Sequence, residues 1–403
     1  MTGSNDERVQ QATALQLRDN YNSPRAERTT GAIMSKENHT PAEAPSVGAS
    51  ETMHGIPNDY YTQEVHGPFE TFSLGAFELA EGETLPECEI AYTTFGELNE
   101  AKDNAVLFPH MYSGTSKDME MYVGEDLALD PREYFVILPN QIGNGLSTSP
   151  HNSPPPYGQA DFPRVRISDD VRAQHRLVTE EFGIKELQLV LGWSMGAQQT
   201  YEWAVRYPEM VKRAAPIGGT AKNPTQSSLL VDALISALEL DPNWDDGYYD
   251  DQRALRRGLR QHARTWVLQG TCADFWRENA WEDAGFSSLD DFLHRLWDEW
   301  FLPMDPNNLI CMAWKWKHAD VSRMTGGDLS AALERIRART YVMPFEQDMV
   351  FTLEDAENEE THIPDSELRP IPTPWGHFGM FGFDPADKEF IDDAIGDLLD
   401  ESV

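Results

Sequence analysis

The chain has 403 residues, with 32 lysines and arginines against 68 aspartates and glutamates, a formal net charge of −36 and three cysteines. That length accommodates one large α/β domain with an insertion, or two domains, and so negative a field argues against nucleic acid and anionic membranes as partners. No 18-residue apolar run offers a membrane span, no apolar stretch near the N-terminus reads as a secretory signal, and Cys88, Cys272 and Cys311 are too widely spaced for a metal-ligand pattern.

The cysteines read as buried small hydrophobes in a reduced, cytoplasmic protein. Residues 1–58 are rich in Ser, Thr, Asn, Glu, Ala and Pro and bury too little apolar surface to offset the entropy of ordering, so a disordered tail is expected there. The first 60 residues hold eight acids and five bases, which leaves nearly all of the acidic excess to the folded part. With nine lysines against 23 arginines, this reads as a solvated acidic surface suited to high salt, or as solubility through self-repulsion.

Residues 69–77 and 87–94 alternate like half-buried strands and open a sheet in antiparallel fashion. An apolar strand over 104–110 leads into the small-residue loop Met111-Tyr112-Ser113-Gly114, and a second over 134–139 leads into the loop 140–147 and a Pro-rich turn at 151–157. A helix is expected over 168–182. Then comes Leu187 to Leu191, a buried strand running directly into Gly192-Trp193-Ser194-Met195-Gly196 and an amphipathic helix that Pro208 ends.

Residues 211–219 form the next strand. Strand signals then vanish until 340–345; the segment between carries apolar residues at helical spacing, a cap-like Ser288-x-x-Asp291 and eight of the eleven tryptophans. Those rings either pack helices together or wall a pocket beneath a lid. The last strand is expected over 368–373 and a closing helix over 385–399. Strands alternating with helices in this way predict an α/β fold with a mostly parallel sheet covered on both faces, its core spanning 59–222 and 331–403 and a helical lid inserted at 223–330.

Strand, sharp turn and helix around G-x-S-x-G make a nucleophile elbow: Ser194 projects from a strained turn, and the N–H of Met195 points where an oxyanion would form. A serine hydroxyl needs a base, and the base needs a third group to hold its tautomer. In this architecture the order is Ser, acid, His. His377, in the glycine-flanked loop after the last strand, fits the base better than His362. For the acid, the loop after Phe345 offers Asp348, with Glu346 possible on spacing. The second oxyanion donor falls to the N–H of Tyr112.

Gly-Trp-Ser-Met-Gly-Ala-Gln-Gln, the loop from His110 to Gly114, the order Ser194, Asp348, His377 and Asp241-Pro242-Asn243-Trp244 together resemble the homoserine O-acetyltransferase family of α/β-hydrolases, from about residue 69 to the C-terminus. The resemblance implies a homodimer with a helical lid and maps the triad onto Ser194, Asp348 and His377. Two positions depart from it. Where the family has an Asp after the catalytic His to hold the amino group of homoserine, this chain has Phe378; where it has a carboxylate-gripping Arg in the lid, it has Ile235.

A zwitterion against Phe and Ile would lose both charge partners, so the chain looks more like the short-chain ester hydrolases that share the elbow. The function expected is therefore hydrolysis of a small carboxylic ester through an acyl-serine, with no metal or organic cofactor, and with Phe378, Ile235 and Trp193 around the substrate. The other reading hands the acyl group from acyl-CoA to a hydroxyl acceptor.

Overall fold

The computed structural model describes residues 58–403. The tail expected over 1–58 lies, but for Asn58, outside them. Eight strands form one sheet: β1 (Glu70–Glu78), β2 (Thr84–Phe95), β3 (Ala105–Leu107), β4 (Phe135–Pro139), β5 (Leu189–Trp193), β6 (Arg213–Ile217), β7 (Arg339–Val342) and β8 (Ser366–Leu368), in spatial order β1-β2-β4-β3-β5-β6-β7-β8. β1–β2 and β2–β4 pair antiparallel and every later pair is parallel. Every residue of β3, β4, β5 and β6 is buried, as parallel strands covered on both faces must be.

The longer helices are α1 (Ile167–Arg176), α2 (Met195–Arg206), α3 (Thr225–Glu239), α4 (Arg256–Gly270), α5 (Pro306–Lys317), α6 (Leu353–Glu360) and α7 (Pro385–Asp400). After β3 the chain moves one place outward to β4 and then returns to the other flank of β3 as β5. The loops leaving the C-terminal ends of β3 and β5 therefore diverge at a point where the strand order reverses, which is where open α/β sheets form a crevice.

One expected strand is misplaced. The ladder predicted over 368–373 is β8 at Ser366–Leu368, and beyond it only Ile371 pairs, as an isolated bridge with Phe345. Pro370 and Pro372 have no N–H to give, so regular pairing cannot run through them.

Between β6 and β7 every named element is helical. The cap read at Ser288 is present: its side chain accepts the Asp291 N–H at 3.1 Å, opening a helical stretch over 289–301 that contains a π turn at Leu293–Asp298. Asp305 caps α5 through the Asn308 N–H, with Pro306 in the first turn where its missing N–H costs nothing.

Two buried acids tie this insertion to the sheet layer. Asp170 on α1 meets Lys315 on α5 at 2.7 Å, both fully buried, and the ammonium also donates to the Ile142 carbonyl at 2.7 Å. Burial lifts the Asp170 carboxyl to about 6 while Lys315 holds it down. Leaving either charge buried without its partner would cost about 3–5 kcal/mol. Glu359 on α6 accepts the N–H groups of Ala221 (2.8 Å) and Lys222 (3.2 Å), where the insertion begins.

Burial pushes the Glu359 carboxyl from 4.5 up to about 8, against the pull of those two N–H groups. The folded chain therefore keeps a proton that the unfolded chain releases, so its contribution to stability is complete below about pH 4.5 and is lost as pH rises through about 8. Glu359→Gln is expected to flatten the fall in stability between pH 5 and 8, measured by urea titration against the wild type; equal slopes would mean that the Glu359 proton is not retained on folding.

Candidate active site

β5 ends at Trp193, and Ser194 stands between it and α2 with φ 58° and ψ −116°. A non-glycine residue there is strained, and it is held by its own N–H on the Ile217 carbonyl (2.9 Å) and by its carbonyl, which accepts the Gln198 N–H (3.1 Å). The turn closes this tightly because of two glycines. A Cβ on Gly192 would lie 2.4 Å from the backbone of Gly196, and one on Gly196 would lie 2.4 Å from the Pro109 carbonyl oxygen.

The Ser194 Oγ lies 2.9 Å from Nε2 of His377, and Nδ1 of His377 lies 2.7 Å from Asp348 Oδ2. The other Asp348 oxygen accepts the N–H groups of Val350 (2.7 Å) and Phe351 (3.1 Å), so the carboxylate is fixed on both sides. All three residues are buried. Glu346 and His362, the alternatives left open by spacing, are both exposed.

Met195 opens α2, so its N–H is among those with no acceptor inside the helix. Tyr112 lies in the loop after β3, and it shares with Ser194 and His377 a cavity walled by Met111, Trp193, Trp266, Trp297, Trp300, Phe301, Phe378 and Phe381. No Asp, Glu, Lys or Arg lines this cavity. Phe378 and Trp193 both line it, and the Trp193 indole N–H donates to the His377 carbonyl at 3.2 Å.

Ile235 does not line the cavity. It is half-buried on α3, one step round the helix from the inward stripe of Leu230, Leu234, Ala237 and Leu238. Counting back along the sequence from Asp241 found its position in the chain but not the direction of its side chain.

Trp266, Trp297 and Trp300 wall the cavity, whereas Trp316 stacks behind Trp266 at 5.3 Å and Trp276 packs on Trp281 at 5.9 Å away from it. Both readings of the tryptophan-rich segment therefore hold, for different rings. What the sequence reading missed is the support of the loop. His110 is fully buried, and burial pushes its imidazole down to about 3, so it is neutral: Nδ1–H donates to the Met111 carbonyl (2.7 Å) and Nε2 accepts the Gln141 N–H (3.1 Å). No local signal marks His110 for this, because Gln141 and Asn144, which hold it in place, lie 31 and 34 residues away. Among the described residues no group of three or more His, Cys, Asp or Glu gathers to hold a metal ion, and no helix is long and apolar enough to cross a membrane.

Residues 104–383 match the family model described as the alpha/beta hydrolase fold. The chain belongs to the α/β-hydrolase family. An ethyl acetate hydrolase of Pseudomonas veronii is 50% identical to this hydrolase over 85% of the chain and 98% of the relative. A probable esterase of Corynebacterium glutamicum is 49% identical over 81% and 94%. The crystal structure of an acetylester hydrolase from Corynebacterium glutamicum superposes with a TM-score of 0.85 at 47% identity, covering 86% of this chain and all of that one.

These matches correct the resemblance to the homoserine O-acetyltransferases. The acetyltransferase of Trichormus variabilis is only 32% identical, over 75% of the chain and 86% of its own length. The resemblance was carried by short motifs, whereas similarity over most of the chain sets the esterases well ahead of that acetyltransferase. This hydrolase is a serine-type carboxylic ester hydrolase acting on small esters.

Gly196→Ala tests the close approach at the elbow. The added methyl meets a backbone carbonyl that has no rotamer to escape into, so a loss of about 1–3 kcal/mol in urea titration is expected, with turnover of a short ester down more than about tenfold as the Tyr112 loop shifts. Wild-type stability and turnover would show that the elbow has more room than 2.4 Å implies.

Proposed function

We propose that this hydrolase cleaves acetyl and other very short acyl esters of uncharged alcohols. The observation that carries the reading is the uncharged, aromatic wall around the Ser194 hydroxyl. A compact neutral ester replaces water there without burying an unpaired charge, whereas a zwitterionic or phosphorylated acceptor would have to bury one. The esterase relatives, one of them an ethyl acetate hydrolase, support the same substrate class.

In this proposal His377 takes the Ser194 proton as Oγ attacks the ester carbonyl. Asp348 fixes the Nδ1–H tautomer and stabilises the imidazolium that forms, and the N–H groups of Tyr112 and Met195 bind the oxyanion. Collapse of the tetrahedral intermediate expels the alcohol, which leaves with the proton from His377. Water then gives its proton to His377 as it attacks the acyl-serine, and collapse of this second tetrahedral intermediate releases the acid while His377 returns the proton to Ser194 Oγ. In a dry cavity each of these charge interactions is stronger than it would be in water.

The test is a series of p-nitrophenyl esters from acetate to octanoate, with wild type and Ser194→Ala, alongside labelling by a fluorophosphonate. Expected are kcat/KM highest for acetate and falling at least about tenfold by octanoate, label on Ser194, and no turnover by the variant. A preference for long chains would overturn the acetyl reading, and turnover by Ser194→Ala would overturn the nucleophile.

The proposal includes a homodimer, for which the exposed Leu229 on α3 and Leu268 on α4 offer apolar surface. Sedimentation velocity at micromolar concentration checks it: a dimer that Leu229→Glu with Leu268→Glu dissociates is expected, and a monomeric wild type would overturn it.

A further inference from the structure

The helical insertion reaches the loop that carries the Tyr112 N–H through side-chain hydrogen bonds to both Tyr112 and Ser113, and the Tyr112 hydroxyl lies 3.5 Å from His262 Nε2 of α4. The indole N–H of Trp300 donates to Ser113 Oγ at 2.9 Å, and the Tyr112 hydroxyl donates to the Leu309 carbonyl at 2.9 Å. Trp300 closes the helical stretch after the π turn, and Leu309 lies on α5; both belong to the insertion. The Tyr112 ring is also enclosed by insertion rings, with Trp266 and Trp316 each at 5.7 Å and His262 at 6.0 Å.

The two ends of the same loop are held differently. His110 is bound to Gln141, whose side-chain amide also donates to the His110 carbonyl at 2.8 Å. Thr115 is bound by its N–H to Asp118 at 2.8 Å. Between these anchors, Tyr112 and Ser113 hydrogen-bond directly to the insertion. Trp300 is itself braced: two residues before it, Asp298 accepts from Arg264 (2.6 Å) and Arg260 (3.0 Å) of α4 and contacts His294 at 2.8 Å.

We propose that Trp300, through Ser113, is a positioning residue for the Tyr112 oxyanion donor, so that the helical insertion completes the oxyanion hole as well as covering the cavity. This rests on the nucleophile and donor roles proposed above. Arg264 and Asp298 set the place of Trp300, its N–H sets Ser113, and the peptide N–H one residue earlier is thereby aimed. A donor that strengthens its bond only as negative charge develops on the carbonyl oxygen acts on the transition state, so its misplacement falls on kcat and leaves ground-state binding nearly intact.

The experiment is steady-state hydrolysis of p-nitrophenyl acetate by the full chain carrying Ser113→Ala, Trp300→Phe, or both, with Ser113→Thr as the conservative variant. Each single substitution is expected to lower kcat about tenfold with KM within about twofold, and the pair to fall no further than the worse single, because both remove one hydrogen bond. Ser113→Thr, which restores a hydroxyl, is expected to recover most of the loss. An unchanged kcat in Ser113→Ala, a loss confined to KM, or multiplicative losses in the pair would each overturn the proposal.

Should Trp300→Phe fail to fold, Ser113→Ala and Ser113→Thr alone decide, since they alter a single hydroxyl in a short loop. Wild-type turnover of the acetate reports the esterase reading separately: a wild type inert toward it breaks that reading, whereas an active wild type with an indifferent Ser113→Ala breaks only the role of Trp300.

Discussion

The strained turn at Ser194 is the constraint on which the site depends. A residue with φ 58° between a buried strand and a helix persists only because its surroundings leave it no alternative. Here β6 holds its N–H, α2 grows directly from it, and the glycines on either side let strand, helix and the β3 loop approach to distances that a Cβ would forbid. The same turn that raises Ser194 Oγ toward His377 puts Met195 at the start of α2, where its N–H has no acceptor inside the helix.

Around that turn the protein separates its charges from its chemistry. A chain with a net charge of −36 presents no Asp, Glu, Lys or Arg to the cavity, where Ser194 and His377 sit among tryptophan and phenylalanine rings. The one carboxylate in contact with His377 is held on both sides, with two backbone N–H groups on one oxygen and the imidazole on the other. A neutral ester loses little on entering such a place. A charged one would surrender its hydration with nothing in return.

The insertion that supplies most of those rings is fastened to the core by buried polar contacts, since apolar packing alone gives little preference for one register over another. Lys315 and Asp170 join α5 to α1 and to the loop that also holds His110, while Glu359 grips the backbone where the insertion leaves the sheet. These contacts connect residues more than 130 positions apart in the chain.

What the sequence by itself determined is what local periodicity and short-range chemistry encode. The alternation of strands and helices, the elbow at Gly192 to Gly196, the Ser288 cap and the glycine-flanked His377 loop are all legible within a dozen residues. The prolines at 370 and 372 were legible too, but their effect on β8 was misjudged because an apolar residue between them imitates a strand. The choice of Asp348 over Glu346 needed the fold: both acids lie in the turn that follows Phe345, and only packing decides which is buried against His377. Branch membership lay beyond the elbow motif, because it rests on similarity spread over most of the chain. The tertiary structure alone brought His110 to Gln141, Asp170 to Lys315 and Trp300 to Ser113, because such pairings are set by where the chain returns in space, and no local pattern of residues records it.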